Sequence, residues 1–157
     1  MNGLDDVTRF IDIARRLARA RPDFLDIKGP GHGNLATTTF MRELQREVAS
    51  ALPGVKAEQR ICGKNNFAFD FYLPDQAAVI EVALGLRNSL TEFERDVFKV
   101  LLALDEGCSI KRLVFISKPG AVKRHGEPGP AAIISWIKKH HDVTVEIHEM
   151  GATAVQQ

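Results

Sequence analysis

FAFDFYLPDQAAVIEVALGLRN (residues 67–88) decides how this chain is read. Two runs rich in aromatic and β-branched residues flank a short polar break, the pattern of a β-hairpin. Each run carries one acid, Asp70 in the first and Glu81 in the second. A two-residue turn at Asp75-Gln76 pairs Leu73 with Ala78, Phe71 with Ile80 and Asp70 with Glu81. One face then collects Phe67, Phe69, Phe71 and Leu73 with Ile80, Val82 and Leu84. The other collects Ala68, Asp70 and Tyr72 with Val79, Glu81 and Ala83. Directly opposed side chains have Cβ atoms ~5 Å apart, and like charges there repel. Two such carboxylates need a cation or a shared proton between them, and Mg²⁺ is a cation that takes oxygen pairs of this kind. The competing reading leaves both acids in water, and a one-residue slip of register would separate them.

The surrounding pattern supplies the rest of a fold. Val7, Phe10, Ile11, Ala14, Leu17 and Ala18 recur at helical spacing and predict an N-terminal helix over residues 4–20. A Pro/Gly-rich connection leads to a second helix over 35–52, with Phe40, Leu44 and Val48 on one stripe and Pro53-Gly54 as its stop. VKAEQRI is the first strand of a meander whose other two strands form the hairpin. SLTEFERDVFKVLLALDEG reads as a helix with a capping box at Ser89 and Glu92 or at Thr91 and Glu94. IKRLVFIS is a short apolar strand of the kind covered on both faces. A loop, KPGAVKRHGEPGP, then leads into the helix AAIISWIKKHH and a last strand, VTVEIHEM. Three meandering strands followed by helix, strand, helix and strand imply an α/β domain with a mixed β-sheet flanked by helices.

Composition bounds the function. A length of 157 residues suits a single domain, residues 1–157, with its core over about 36–149, the helix 4–20 as an addition and 151–157 as a frayed tail. Twenty-one Lys and Arg against 20 Asp and Glu leave a formal charge of +1, so any nucleic-acid surface must be a local patch. Cys62 and Cys108 form no CxxC pair, which argues against a zinc or redox motif. No apolar run reaches the ~20 residues of a membrane helix and no signal peptide is recognisable, so the expected compartment is the cytoplasm, without membrane partners. GPGHGN lacks the ending of a phosphate-binding P-loop and reads as a connection. KKHH closes a helix, where cations complement the dipole, and Trp136 falls in an apolar helix and is expected in the core.

An acid in one strand, a turn, then IEVA with a second acid, then a helix, resembles the PD-(D/E)XK nuclease superfamily, which includes many type II restriction endonucleases. The order of elements over residues 36–117 matches that superfamily's core, and EVALGLRNSLTEFERDVFKVLLA, with Arg95-Asp96 inside the helix, is similar to the corresponding region of some members. The resemblance implies a restriction-endonuclease-like sheet and a Mg²⁺- or Mn²⁺-dependent DNA endonuclease acting as a homodimer, with no organic cofactor. It makes Asp70 and Glu81 metal ligands, joined by the backbone carbonyl of Val82 and by a helical acid, Glu43 or Glu47. The metal in such sites polarises the scissile phosphate and lowers the pKa of the attacking water. The motif lysine falls on Ala83, so the cation must come from elsewhere. Lys56 or Arg60 on the first strand, Lys64 in the turn after it and Arg87 beyond Ala83 are the candidates, each competing with a role as an ordinary surface charge. Lys64, Lys118, Lys123 and Arg124 are the expected contacts to DNA phosphates. Ala83 equally suits a catalytically degenerate nuclease-like domain that binds nucleic acid or protein without cutting. An unrelated α/β domain with solvent-facing acids is the third reading.

Overall fold

A computed structural model describes residues 4–21, 32–60, 67–84 and 89–151. The elements in chain order are α1 (Asp6–Arg19), α2 (His32–Ala51), β1 (Lys56–Arg60), β2 (Ala68–Leu73), β3 (Ala78–Ala83), α3 (Ser89–Asp105), β4 (Arg112–Ser117), α4 (Ala121–His125), α5 (Pro128–His141) and β5 (Thr144–Glu149). The five strands form one open sheet in the order β1-β2-β3-β4-β5. The first three are antiparallel, while β4 runs parallel to both β3 and β5. Parallel neighbours require crossovers, and α3 and α5 supply them on a single face of the sheet, as crossovers of one hand must.

Each face of the sheet has its own core. Phe71, Leu73, Ile80, Leu84, Val114 and Ile116 meet the buried stripes of α1 and α2 on one side. On the other, Phe69, Val79, Leu113 and Phe115 meet Phe93, Val97 and Val100 of α3 and Ile137 of α5. β4 is buried along almost its whole length because helices cover both its faces, as its apolar run predicted. The Asp5 side chain caps α1 by accepting from the Thr8 N–H at 2.8 Å, and Gln76 Oε1 accepts the Val7 N–H at 3.0 Å, tying α1 to the β2–β3 connection. Trp136 is 46% exposed rather than buried, because α5 turns Ile137 and not Trp136 to the sheet.

The segment expected as a long loop after β4 contains the short helix α4, and α5 begins at Pro128, three residues ahead of AAIISWIKKHH. Glu149 Oε1 accepts the N–H groups of Gly120 and Val122 at 2.9 and 3.0 Å and holds the start of α4 from the end of β5. Gly120 takes φ of 95°, which favours glycine at that turn. Among the described residues no helix is long and apolar enough to cross a membrane.

Candidate active site

The predicted register holds at Leu73–Ala78 and Phe71–Ile80. The chain turns through a 3₁₀ segment, Pro74–Gln76, closed by Ala77 at φ of 48°, so the connection is Pro74 to Ala77 rather than a bare two-residue turn. The ladder then stops, one step short of the expected Asp70–Glu81 pair. At that step the Asp70 carboxylate takes the place of a main-chain acceptor: its Oδ2 receives the Val82 N–H at 2.8 Å. Opposite, on β1, Glu58 adopts a positive φ of 50°. The alternation of β2 slips here, which corrects the expected face. Phe67 and Phe69 pack on the α3 side, whereas Phe71 and Leu73 pack on the α1–α2 side.

Asp70 and Glu81 nevertheless act on each other, and α3 brings two further groups to them. Lys99 Nζ lies 2.5 Å from Glu81 Oε1 and 2.9 Å from Asp96 Oδ1, and it donates to the Ala68 carbonyl at 3.0 Å. Glu81 is 3% and Lys99 7% exposed, so this is a buried ion cluster. The ammonium is ion-paired with Glu81 Oε1, and among the described residues that oxygen has no aligned hydrogen-bond donor. Burial pushes the Glu81 carboxyl well above its usual range, and the charges of Asp70 and Asp96 push it the same way against the pull of Lys99. Burial likewise raises Asp96. Desolvation works against the Lys99 ammonium, yet Glu81 and Asp96 outweigh it and hold the group charged, with its pKa raised.

Sequence reasoning missed Lys99 and Asp96 as site residues, although the helix wheel carries a signal. Asp96 interrupts the stripe Phe93, Val97, Val100 and Ala103, every one of which is buried. A charge in that stripe has to meet a partner.

The other candidates fall elsewhere. Glu43 is ion-paired with Arg21 and Glu47 with Arg16, at 3.0 Å for the latter. Both acids sit on α2, whose buried stripe packs on the sheet face opposite the one α3 covers. Lys56 and Arg60 are exposed on the edge strand β1, opposite Tyr72 and Ala68. Lys118 is half-buried after β4, while Lys123 and Arg124 are exposed on α4. Lys64, Arg87, residues 29–31 and the Ser89 capping side chain lie outside the described residues, whereas His32–Asn34 of the expected GPGHGN connection already belong to α2, which starts three residues ahead of the expected helix.

The donor set around Asp70 and Glu81 is all oxygen, which suits a hard divalent cation. The Asp70 oxygen not committed to Val82 is the atom placed to take one, while Glu81 Oε1 is already ion-paired with the Lys99 ammonium. Among the described residues no three His, Cys, Asp or Glu side chains gather as a metal cage. Mg²⁺ ordinarily takes one or two carboxylates and completes its shell with water and phosphate oxygens. No family model, curated protein or solved structure matches the chain.

Proposed function

We propose that this α/β domain is a Mg²⁺- or Mn²⁺-dependent DNA endonuclease of the PD-(D/E)XK type, with a restriction-endonuclease-like sheet. The observation that carries the reading is Lys99: a buried ammonium touches Glu81 although the motif position holds Ala83. A site of this kind needs two acids and one cation, and here the cation comes from α3. Asp70 and Glu81, with the Val82 carbonyl, would hold the metal, which when bound polarises a phosphate and acidifies a water. The Val82 N–H fixes the Asp70 carboxylate, leaving its second oxygen free of that bond. Asp96 holds the Lys99 ammonium beside Glu81, where it offsets the negative charge of an incoming phosphate. Exposed Lys123 and Arg124 on α4 offer charge to the DNA backbone.

A second reading has its own observation. The Lys99 ammonium is already engaged by three groups, donating to the Ala68 carbonyl and ion-paired with Glu81 and Asp96, as in a closed structural network. That arrangement suits a nuclease-like domain that binds nucleic acid or protein without cutting.

Plasmid nicking with Mg²⁺ or Mn²⁺ separates the two. The nuclease reading expects metal-dependent cleavage that Asp70→Ala, Glu81→Ala and Lys99→Ala each reduce by about 100-fold or more. Cleavage unaffected by Asp70→Ala and Glu81→Ala would remove this site from the reaction. DNA binding by gel shift with no cleavage in either metal would select the binding module.

A further inference from the structure

A second site, independent of the nuclease reading, lies where α4 ends and α3 and α5 begin. Leu90 and Phe93 of α3, Arg124 and His125 of α4, Glu127 and Pro130 line a pocket of about 110 Å³. Phe93 and His125 are its buried inner wall, while Arg124 and Glu127 are exposed at its rim. The His125 ring stands edge-to-face with Phe93, with centroids 4.8 Å apart, and lies 5.9 Å from the Phe115 ring. It is 8% exposed, so a polar ring has been carried into an aromatic layer. Buried polar atoms ordinarily have partners.

Only one of the two ring nitrogens has a partner among the described residues. His125 Nδ1 lies 2.7 Å from the Ala121 carbonyl, one turn earlier in α4. A carbonyl oxygen only accepts, so Nδ1 carries the hydrogen and Nε2 of the neutral ring is an acceptor. Nε2 meets no donor among the described residues, yet it is not sealed, unlike Glu81 Oε1 and Ser117 Oγ. A nitrogen that is neither bonded nor sealed, on a ring this deeply buried, opens on the pocket that the ring lines. The glutamate that anchors the start of α4, Glu149, fixes the short helix that aims it.

The remaining walls define what fits. Leu90, Phe93 and Pro130 offer no hydrogen-bonding side chain and favour an apolar body. An apolar cavity of ~150 Å³ holds a benzene ring. This pocket is smaller but open at its rim, so a ring enters with its far end outside. Arg124 and Glu127 form no ion pair among the described residues. Arg124 favours an anionic group at the rim, and Glu127 beside it disfavours a second negative charge, which argues for a carboxylate over a phosphate.

We propose that this pocket binds a small phenol that carries a carboxylate at the opposite end of its ring. The hydroxyl donates to His125 Nε2, the ring lies among Leu90, Phe93 and Pro130, and the carboxylate meets Arg124.

The test is an NMR titration of the ¹⁵N-labelled full chain with 4-hydroxybenzoate, without DNA or metal, so its outcome does not depend on the nuclease reading. A pH of about 8 keeps ordinary imidazoles neutral. The expected result is saturable shifts of the His125 ring nitrogens and of the amides near Phe93 and Glu127, with a dissociation constant on the order of 1 mM. 4-Fluorobenzoate, which has nearly the same shape but no donor, binds about tenfold more weakly. His125→Phe keeps an aromatic ring in the wall and abolishes the preference between the two ligands. Arg124→Gln weakens both by about threefold. The two-ligand comparison on the unaltered chain needs no variant, so it decides the matter even where His125→Phe misfolds. No saturable shift up to about 20 mM overturns the proposal. Equal binding of the two ligands, or tighter binding of inorganic phosphate at the same residues, overturns it as well.

Discussion

The two faces of the sheet solve the burial problem differently. Under α1 and α2 the core is apolar among the described residues: Phe10 meets Phe71 edge-on, with centroids 4.7 Å apart, and every buried member of that cluster is a hydrocarbon or thioether side chain. Under α3 and α5 an equally apolar layer encloses Glu81, Lys99 and Asp96, with the Ser117 hydroxyl close by in the sheet. Burying ions is costly, and a pair that is merely structural is often matched or bettered by hydrophobic residues of the same volume. One face is therefore built for stability, while the other surrenders stability to hold charges in place.

The largest effects come from removing a single member of each face. Phe10→Ala should cost about 4 kcal/mol, the sum of lost burial, a cavity and the aromatic pair with Phe71. Lys99→Met should cost a similar amount, about 3–5 kcal/mol, for a different reason: it strands Glu81 and Asp96 in a buried site. Urea denaturation of both variants would give comparable midpoint shifts, and a negligible shift for Lys99→Met would show that the cluster is not buried as described.

The contrast sharpens when the rest of the cluster is neutralised. Glu81→Gln, Asp96→Asn and Lys99→Met together should return stability to within about 1 kcal/mol of the parent or above it, since no uncompensated charge remains. No second polar change rescues Phe10→Ala, whose loss is volume. If the triple variant stays as unstable as Lys99→Met alone, the ions contribute net stability and the division between the faces is wrong.

The apolar face was largely legible in sequence, and the charged face was not. Helical spacing marked the buried stripe from Val7 to Ala18, and alternation marked Phe71, Leu73 and Ile80, because burying apolar surface leaves a periodic trace. The Leu73–Ala78 and Phe71–Ile80 register followed from the same alternation. The side assigned to Phe69 failed because the slip at Asp70 comes from a carboxylate replacing a main-chain acceptor, a choice that alternation does not encode. Lys99 was overlooked because a lysine inside a helix ordinarily reads as solvent-exposed, and its partners Glu81 and Ala68 lie on strands far away in sequence. α4 was missed for a similar reason: the carboxylate that caps it, Glu149, arrives from the last strand. Asp70 and Glu81 were read as neighbours from one hairpin, whereas Lys99 reaches Glu81 only through the tertiary structure.

A charge cluster at the sheet's other end offers an intermediate case, since it is half in water. Glu146 accepts from Arg112 through both its oxygens, at 2.6 and 3.1 Å, and His148 Nε2 lies 3.4 Å from its Oε1. Hydrogen bonding by His148 and Arg112 lowers its carboxyl to about 2. A depressed carboxylate contributes stability that is fully present above its ordinary value of 4.5 and is lost as pH falls through that value toward about 2. Solvent screening limits the contribution to about 1 kcal/mol. Glu146→Gln should therefore destabilise the chain modestly at neutral pH and flatten its acid unfolding limb. An acid limb identical to that of the parent would assign the acid sensitivity to other carboxylates.

The smallest expected effect has the opposite sign. Ser117 is fully buried at the end of β4, in ladder register with Ala83, and among the described residues its Oγ has no hydrogen-bond partner. Residues 81, 83, 115 and 117 alternate onto one face, so the hydroxyl stands beside Ala83 and on the same side as Glu81. A hydroxyl desolvated without a partner costs about 1–3 kcal/mol, whereas the methyl of alanine costs nothing comparable and leaves only a small void. If Ser117 is purely part of the core, Ser117→Ala should raise stability by about 1 kcal/mol and leave DNA cleavage unchanged. If the same substitution stabilises the fold but slows metal-dependent cleavage, the hydroxyl belongs to the charged face's chemistry, and stability has been given up there for function at one more atom.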